Sequence, residues 1–130
     1  MIVDTSVLIA VLRREAGYED IITTLANAPD ALSISAATMV EAHVVAQRLK
    51  LDGLEEKLVA LINDLGIVIE PFGTTQVTVA ATAHRTFGRG SGHPAKLNFG
   101  DCFSYALAKE TGEPLLFKGN DFSQTDLTPA

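Results

Sequence analysis

Apolar residues along the chain fall into short unbroken runs that alternate with stretches of helical spacing. The first run, Met1-Ile2-Val3, stops on Asp4, and Thr5-Ser6 then leads into Val7, Leu8, Val11 and Leu12, spaced as one helix face that closes on Arg13-Arg14. This predicts a buried strand turning into a helix, with two cations at the helix carboxyl end, where its dipole favours them. A second helix is expected over about residues 18–27, with Ile21, Ile22 and Leu25 on one face and Pro29 ending it. Leu32-Ser33-Ile34-Ser35 is the next expected strand, after which Ser35 caps a helix over about residues 36–49 with an apolar stripe of Ala37, Val40, Val44 and Val45. A further amphipathic helix is expected over residues 54–65, with Leu54, Leu58, Leu61 and Leu65 in line and Gly66 as its stop. Ile67-Val68-Ile69-Glu70, ended by Pro71, has the β-branched content of a fully buried parallel strand. Thr74 is the expected cap of a helix reaching about Phe87, and a Gly-rich polar loop follows over residues 88–99. A helix over residues 102–110, opened by Asp101 and ended by Gly112, precedes a last expected strand, Leu115-Leu116-Phe117.

Strands that alternate with helices predict an α/β fold, a mainly parallel central sheet with helices on both faces, because parallel strands need crossover connections. In that layout strand ends and helix starts share one edge, where open α/β sheets place their ligands. Four acids fall on this edge. Asp4 ends a strand, Glu41 lies in the second turn of a helix that follows a strand, Asp101 opens a helix, and Asp121 follows the last strand. Singly, each has an ordinary alternative: Asp4 and Asp101 as helix caps, Asp121 as a turn residue, and Glu41 as the partner of a nearby arginine or a residue at the stripe's edge.

Composition narrows the picture further. A chain of 130 residues, 47% hydrophobic, suits a single domain with a real core. Cys102, the one cysteine, can form no internal disulfide, and no segment has the character of a signal peptide or membrane span, so a cytoplasmic protein is expected. The formal net charge of −6 is the wrong sign for holding nucleic acid by bulk attraction. A nucleic-acid substrate would need local basic residues or bound cations. His84, Arg85, Arg89, His93 and Lys96 make one local cluster in and before the long loop, either a phosphate-contact surface or an ordinary solvated loop.

Carboxylates gathered within a few ångströms repel one another, and desolvation also opposes their charge. A divalent cation resolves both. Hard oxygen ligands without clustered Cys or His suit Mg²⁺ or Mn²⁺ and argue against structural zinc. Such ions orient and activate water and stabilise charge on phosphate oxygens, which points to hydrolysis of a phosphate ester. Cys102 reads as a packing residue, and His43, two residues from Glu41, faces another side of its helix.

The opening IVDTSVL, the Glu of MVEAHVV, the segment LNFGDCFSYALA and the closing LLFKGNDF resemble the PIN-domain nucleases, specifically the toxins of VapBC-type toxin–antitoxin systems. The resemblance spans nearly the whole chain. It implies a Mg²⁺- or Mn²⁺-dependent endoribonuclease that cuts a structured transfer or ribosomal RNA, acting as a homodimer and held inactive by a cognate antitoxin. It also implies that Asp4, Glu41, Asp101 and Asp121 form the acidic site, with Asp4 and Asp101 as direct metal ligands and Thr5, Ser6 and Asn120 beside them. Arg13, Arg14, Arg85 and Arg89 are expected RNA contacts, and Lys118 either touches substrate phosphate or is only solvated. The chain departs from the family at its last turn, where many relatives carry a Thr and a longer connection before the final acid. Two alternatives remain: a PIN-like binding module whose acids are structural, and a phosphatase or phospho-acceptor domain. The second lacks support, since the residue two after Asp4 is Ser6 rather than an acid and no acidic pair lies near the first strand.

Overall fold

The computed structural model describes residues 1–130. Strand β1 is Ile2–Val3, and the extended backbone of Asp4 turns the chain into helix α1, Thr5–Leu12. Next come α2 (Tyr18–Ala26), β2 (Ser33–Ser35), α3 (Ala36–Arg48), α4 (Leu54–Asp64), β3 (Val68–Glu70), α5 (Thr74–Phe87), α6 (Asp101–Thr111) and β4 (Leu115–Leu116). The four strands form one parallel sheet in the order β3-β2-β1-β4. Strand β1 lies inside it, with Ile2 opposite Ser33 on one side and Leu115 on the other.

Side-chain alternation splits the interior into two cores. Val3, Ile34 and Leu116 point to one face and pack with Leu8, Leu58 and Ile62 of α1 and α4. Ile2 and Leu115 point to the other and pack with Ala83 of α5 and Ala106 and Leu107 of α6. The expected α/β architecture is therefore present, with helices on both faces of the sheet. No helix is long and apolar enough to cross a membrane.

Four local expectations need correction. Helix α3 is where the pattern put it, and Ser35 Oγ accepts from the Ala37 N–H at 3.3 Å. Its buried face, however, is Thr38, Met39, Ala42 and Ala46, while Val40 is 64% exposed. The small residues allow α3 to approach α1 and α6 closely, and this outweighs the apolarity of the valines. Strand β3 is not fully buried: Val68 and Ile69 are 47% and 48% exposed, because β3 is an edge strand. Unlike the opposite edge, β4, whose Leu115 bridges to Pro129, it pairs on one side only. Thr74 is the first helical residue of α5, and Gly73 occupies the cap without a side-chain bond. Helix α6 begins at Asp101 itself, one residue earlier than expected. The 88–99 loop is closed at its base, where Arg89 N–H donates to the Leu97 carbonyl and Leu97 N–H to the Phe87 carbonyl, both at 2.9 Å.

The α3 face is tested by two neighbouring substitutions compared in urea unfolding. Met39→Ala should cost about 2–5 kcal/mol, the range for emptying a buried methionine site. Val40→Ala should stay within about 0.5 kcal/mol, as for an exposed position. The reverse order would mean that the helix is rotated the other way.

Candidate active site

Because the sheet is parallel, the carboxyl ends of β1, β2 and β4 open onto one edge, and α1 and α3 start there. Asp4, 4% exposed, is fixed at this edge by three hydroxyl or amide donors. Its Oδ2 accepts from the Ser6 N–H at 2.9 Å and from Ser6 Oγ at 2.7 Å. Its Oδ1 accepts from Ser104 Oγ of α6 at 2.6 Å. With the Ser104 proton aimed at Asp4, the Thr38 hydroxyl, 3.1 Å from Ser104 Oγ, donates to Ser104, so α3 and α6 together orient the carboxylate. The strand beside it is laced to the same turn: Asp4 N–H donates to the Leu116 carbonyl at 3.0 Å, and Lys118 N–H donates to Ser6 Oγ at 3.0 Å. Asp4 is thus both a helix cap and a buried carboxylate facing its neighbours, two roles that its lone pairs accommodate.

Asp101, 7% exposed, is held by a reciprocal pair with Asn98. Asp101 N–H donates to Asn98 Oδ1 at 2.9 Å, and Asn98 N–H donates to Asp101 Oδ2 at 2.7 Å. This is a capping box three residues in span, and it leaves Asp101 Oδ1 uncommitted. Burial pushes the Asp101 carboxyl up to about 7, against the Asn98 N–H that favours its charge, and the charges of Asp4, Asp121 and Glu41 raise it further. Glu41 is half-buried on α3. Burial raises its pKa, the Thr5 hydroxyl opposes the rise, and the Asp4 charge adds to it. These mutual effects bring Asp4, Glu41 and Asp101 into one electrostatic group. Asp121 is exposed, yet its charge reaches Asp101 across the short last turn.

The remaining residues singled out from the sequence are spread around this group. Thr5 is buried, with its hydroxyl 3.4 Å from the Thr38 carbonyl, and Ser6 binds Asp4 directly. Asn120 is exposed, and its carbonyl accepts from Ser123 Oγ at 2.7 Å. Glu15 engages both Arg13, at 3.4 Å, and Lys118, at 3.0 Å. Arg14, Arg85 and Arg89 are exposed and enter no ion pair. Cys102 is buried, donates to the Asn98 carbonyl at 3.4 Å, and has its thiol pushed up to about 11 by burial, with the Asp101 charge adding to the rise; this is a packing residue. His43 binds Glu55 at 3.0 Å, away from the acids.

Asn98, Ser104 and Thr38 do part of the positioning and were not singled out. Asn98 precedes Asp101 by the capping-box interval, which the sequence displays. Ser104, three residues after Asp101, shares its helix face, but nothing in the sequence says that the face meets Asp4.

None of the four acids is paired with a basic side chain. No three acidic, histidine or cysteine side chains close into a ready-made cage, so any ion here would take few protein ligands. Two hard carboxylates at an open edge, buried and without a counter-charge, fit Mg²⁺ or Mn²⁺, which keep several waters and bind through one or two carboxylates with substrate phosphate.

The PIN domain family matches residues 1–127. Ribonuclease VapC42 of Mycobacterium tuberculosis is 45% identical over 130 residues, covering 100% of this chain and 98% of that protein. Among solved structures, Mycobacterium tuberculosis VapC20, described as a toxin that cleaves the sarcin-ricin loop, aligns with a TM-score of 0.76 at 17% identity, over 99% of this chain and 97% of its own. VapBC2 from Rickettsia felis, solved with a DNA fragment from the promoter, aligns with a TM-score of 0.73 at 14% identity, over 99% and 96%. At these identities the two solved structures establish the fold alone.

The Asp101 environment has a pH signature. A carboxyl raised by folding from 3.8 to about 7 favours the folded state most below the lower value, and that contribution is lost as pH rises through about 7. The metal-free protein should therefore lose stability between about pH 4 and pH 7, and Asp101→Asn should flatten that slope. Urea midpoints measured across the interval check it; equal slopes for both proteins would refute the raised pKa.

Proposed function

The chain belongs to the PIN-domain family, and from that premise we propose that it is a Mg²⁺- or Mn²⁺-dependent endoribonuclease toxin that hydrolyses a phosphodiester of a structured transfer or ribosomal RNA and so inhibits translation. The broader part, a PIN-domain ribonuclease toxin, rests on identity across the full length of a VapC ribonuclease. The metal dependence and the site rest on one observation: Asp4, Glu41 and Asp101 are gathered at the sheet edge, each at least half-buried, with no basic side chain to balance them.

Asp4 and Asp101 would hold the cation, oriented by Ser6 and Ser104 in one case and by Asn98 in the other. Bound there, a divalent ion supplies positive charge to the attacked phosphate and lowers the pKa of a water molecule. Glu41 and Asp121 flank the pair from α3 and from the exposed last turn, where their carboxylates can accept hydrogen bonds from water. Arg14, Arg85 and Arg89 are free to contact RNA phosphates, whereas Arg13 and Lys118 would first have to leave Glu15. In a chain of net charge −6 such local contacts, and the cation, must do what bulk attraction cannot.

An antitoxin is the protein partner, in keeping with the VapBC assembly among the structural neighbours. A basic antitoxin side chain reaching the acids would supply the counter-charge that the chain itself lacks. We further assign a homodimer as the active form.

Asp4→Asn and Asp101→Asn should each lower metal-dependent RNA cleavage by more than about 100-fold while the protein stays folded, since even groups that only orient metal ligands are worth roughly 10- to 100-fold. Ser104→Ala should fall in that lower range, read as Mn²⁺ affinity by calorimetry. Cleavage by both Asn variants at the wild-type rate would remove the site, and a wild-type protein that neither binds Mn²⁺ nor cuts RNA would leave a binding module.

A further inference from the structure

Gly100 is buried and has φ −65° and ψ −40°, a right-handed helical conformation open to any residue. Backbone freedom is therefore no reason for glycine here. Space is. A β-carbon built on Gly100 overlaps Glu41 Oε2 and the Glu41 carboxyl carbon, and it comes within 2.9 Å of Oε1. Seven of the other glycines adopt positive φ with open space around the missing β-carbon. Gly88 is the one other crowded glycine, and there the collision is with His84 of its own helix end, remote from the acids in sequence.

From this contact we infer that Gly100 is a positioning residue: the absence of its side chain is the seat in which the Glu41 carboxylate rests, one residue ahead of Asp101. The two partners differ in how easily they move. The Gly100 backbone is held on both sides, with its carbonyl accepting from the Phe103 N–H at 3.0 Å and the next N–H given to Asn98 Oδ1 at 2.9 Å. The Glu41 side chain is half exposed and has torsions to spare. A side chain at position 100 therefore drives the carboxylate out of the acid group and leaves the start of α6 in place. The helix loses nothing, because alanine is a better helix former than glycine.

This role rests on the acid site proposed above, so its test includes a readout that needs neither metal nor RNA. In metal-free protein, the ¹³C resonances of the Glu41 side chain, assigned by their loss in Glu41→Ala, should shift in Gly100→Ala while circular dichroism and the thermal midpoint hold. With Mn²⁺, Gly100→Ala should weaken binding roughly 10- to 100-fold, the range for groups that orient metal-site residues, and kcat for RNA cleavage should fall with little change in KM. In the Glu41→Ala background the same substitution should cost less than about twofold, because there is no carboxylate left to displace. Glu41→Asp, one methylene shorter, should cost less in the Gly100→Ala background than in wild type. Unmoved Glu41 resonances, or an equal Gly100→Ala loss with and without Glu41, would overturn the inference. If instead Glu41→Ala itself binds Mn²⁺ and cleaves as wild type does, the place of Glu41 in the site falls, and the resonance shift still decides whether Gly100 seats it.

Discussion

Carboxylates that repel one another are held together here without a positive side chain among them. Burial raises the pKa of Glu41 and pushes the Asp101 carboxyl up to about 7, and the charges of the neighbouring acids add to both rises. What keeps them in place is a set of neutral donors: Ser6 and Ser104 on Asp4, Asn98 on Asp101, and Thr5 near Glu41. Neutral donors hold an anion without cancelling its charge. Arginines in the same places would cancel that charge at the cost of desolvating a second set of ions.

The fold makes this gathering possible at little cost in local order. All four parallel strands end at one edge; Asp4 and Asp121 follow strands there, Asp101 begins a helix, and Glu41 reaches it from the second turn of α3. The backbone N–H groups at such places lack helical partners, so they are available to the acids. Asp4 and Asp101 both take advantage of this, one as the cap of α1 and the other through a capping box at α6. Local helix stability and the geometry of the site thus depend on the same atoms.

Much of this was legible in the chain. The apolar runs located the strands, the helical spacing located the helices, and the positions of Asp4, Asp101 and Asp121 near element boundaries, with Glu41 in the second turn of α3, followed from both. Parallel pairing then implied a common edge. What the sequence did not disclose is sideways information. The exposed face of α3 carries Val40, and the buried face carries Thr38, Ala42 and Ala46, because closeness between helices favoured small residues over apolar ones. That β3 lies at an edge cannot be seen in Val68-Ile69, since β-branched residues suit an edge as well as a centre. Ser104 and Gly100 act on residues 100 and 59 positions away, and neither distance leaves a periodic trace.

The order in which the sheet is written along the chain also bears on synthesis. Strand β1 lies inside the sheet, and one of its flanks is β4, whose Leu115 and Leu116 pair with Ile2 and Val3 across almost the entire chain. The carbonyl that receives the Asp4 N–H belongs to that late strand, and so does the exit that binds Ser6. A nascent chain emerging from the ribosome therefore has its first acid exposed and loosely placed until the last strand is made. The acid edge is thus the last part of the fold that synthesis can complete, and its geometry does not exist until the final strand has paired with the first.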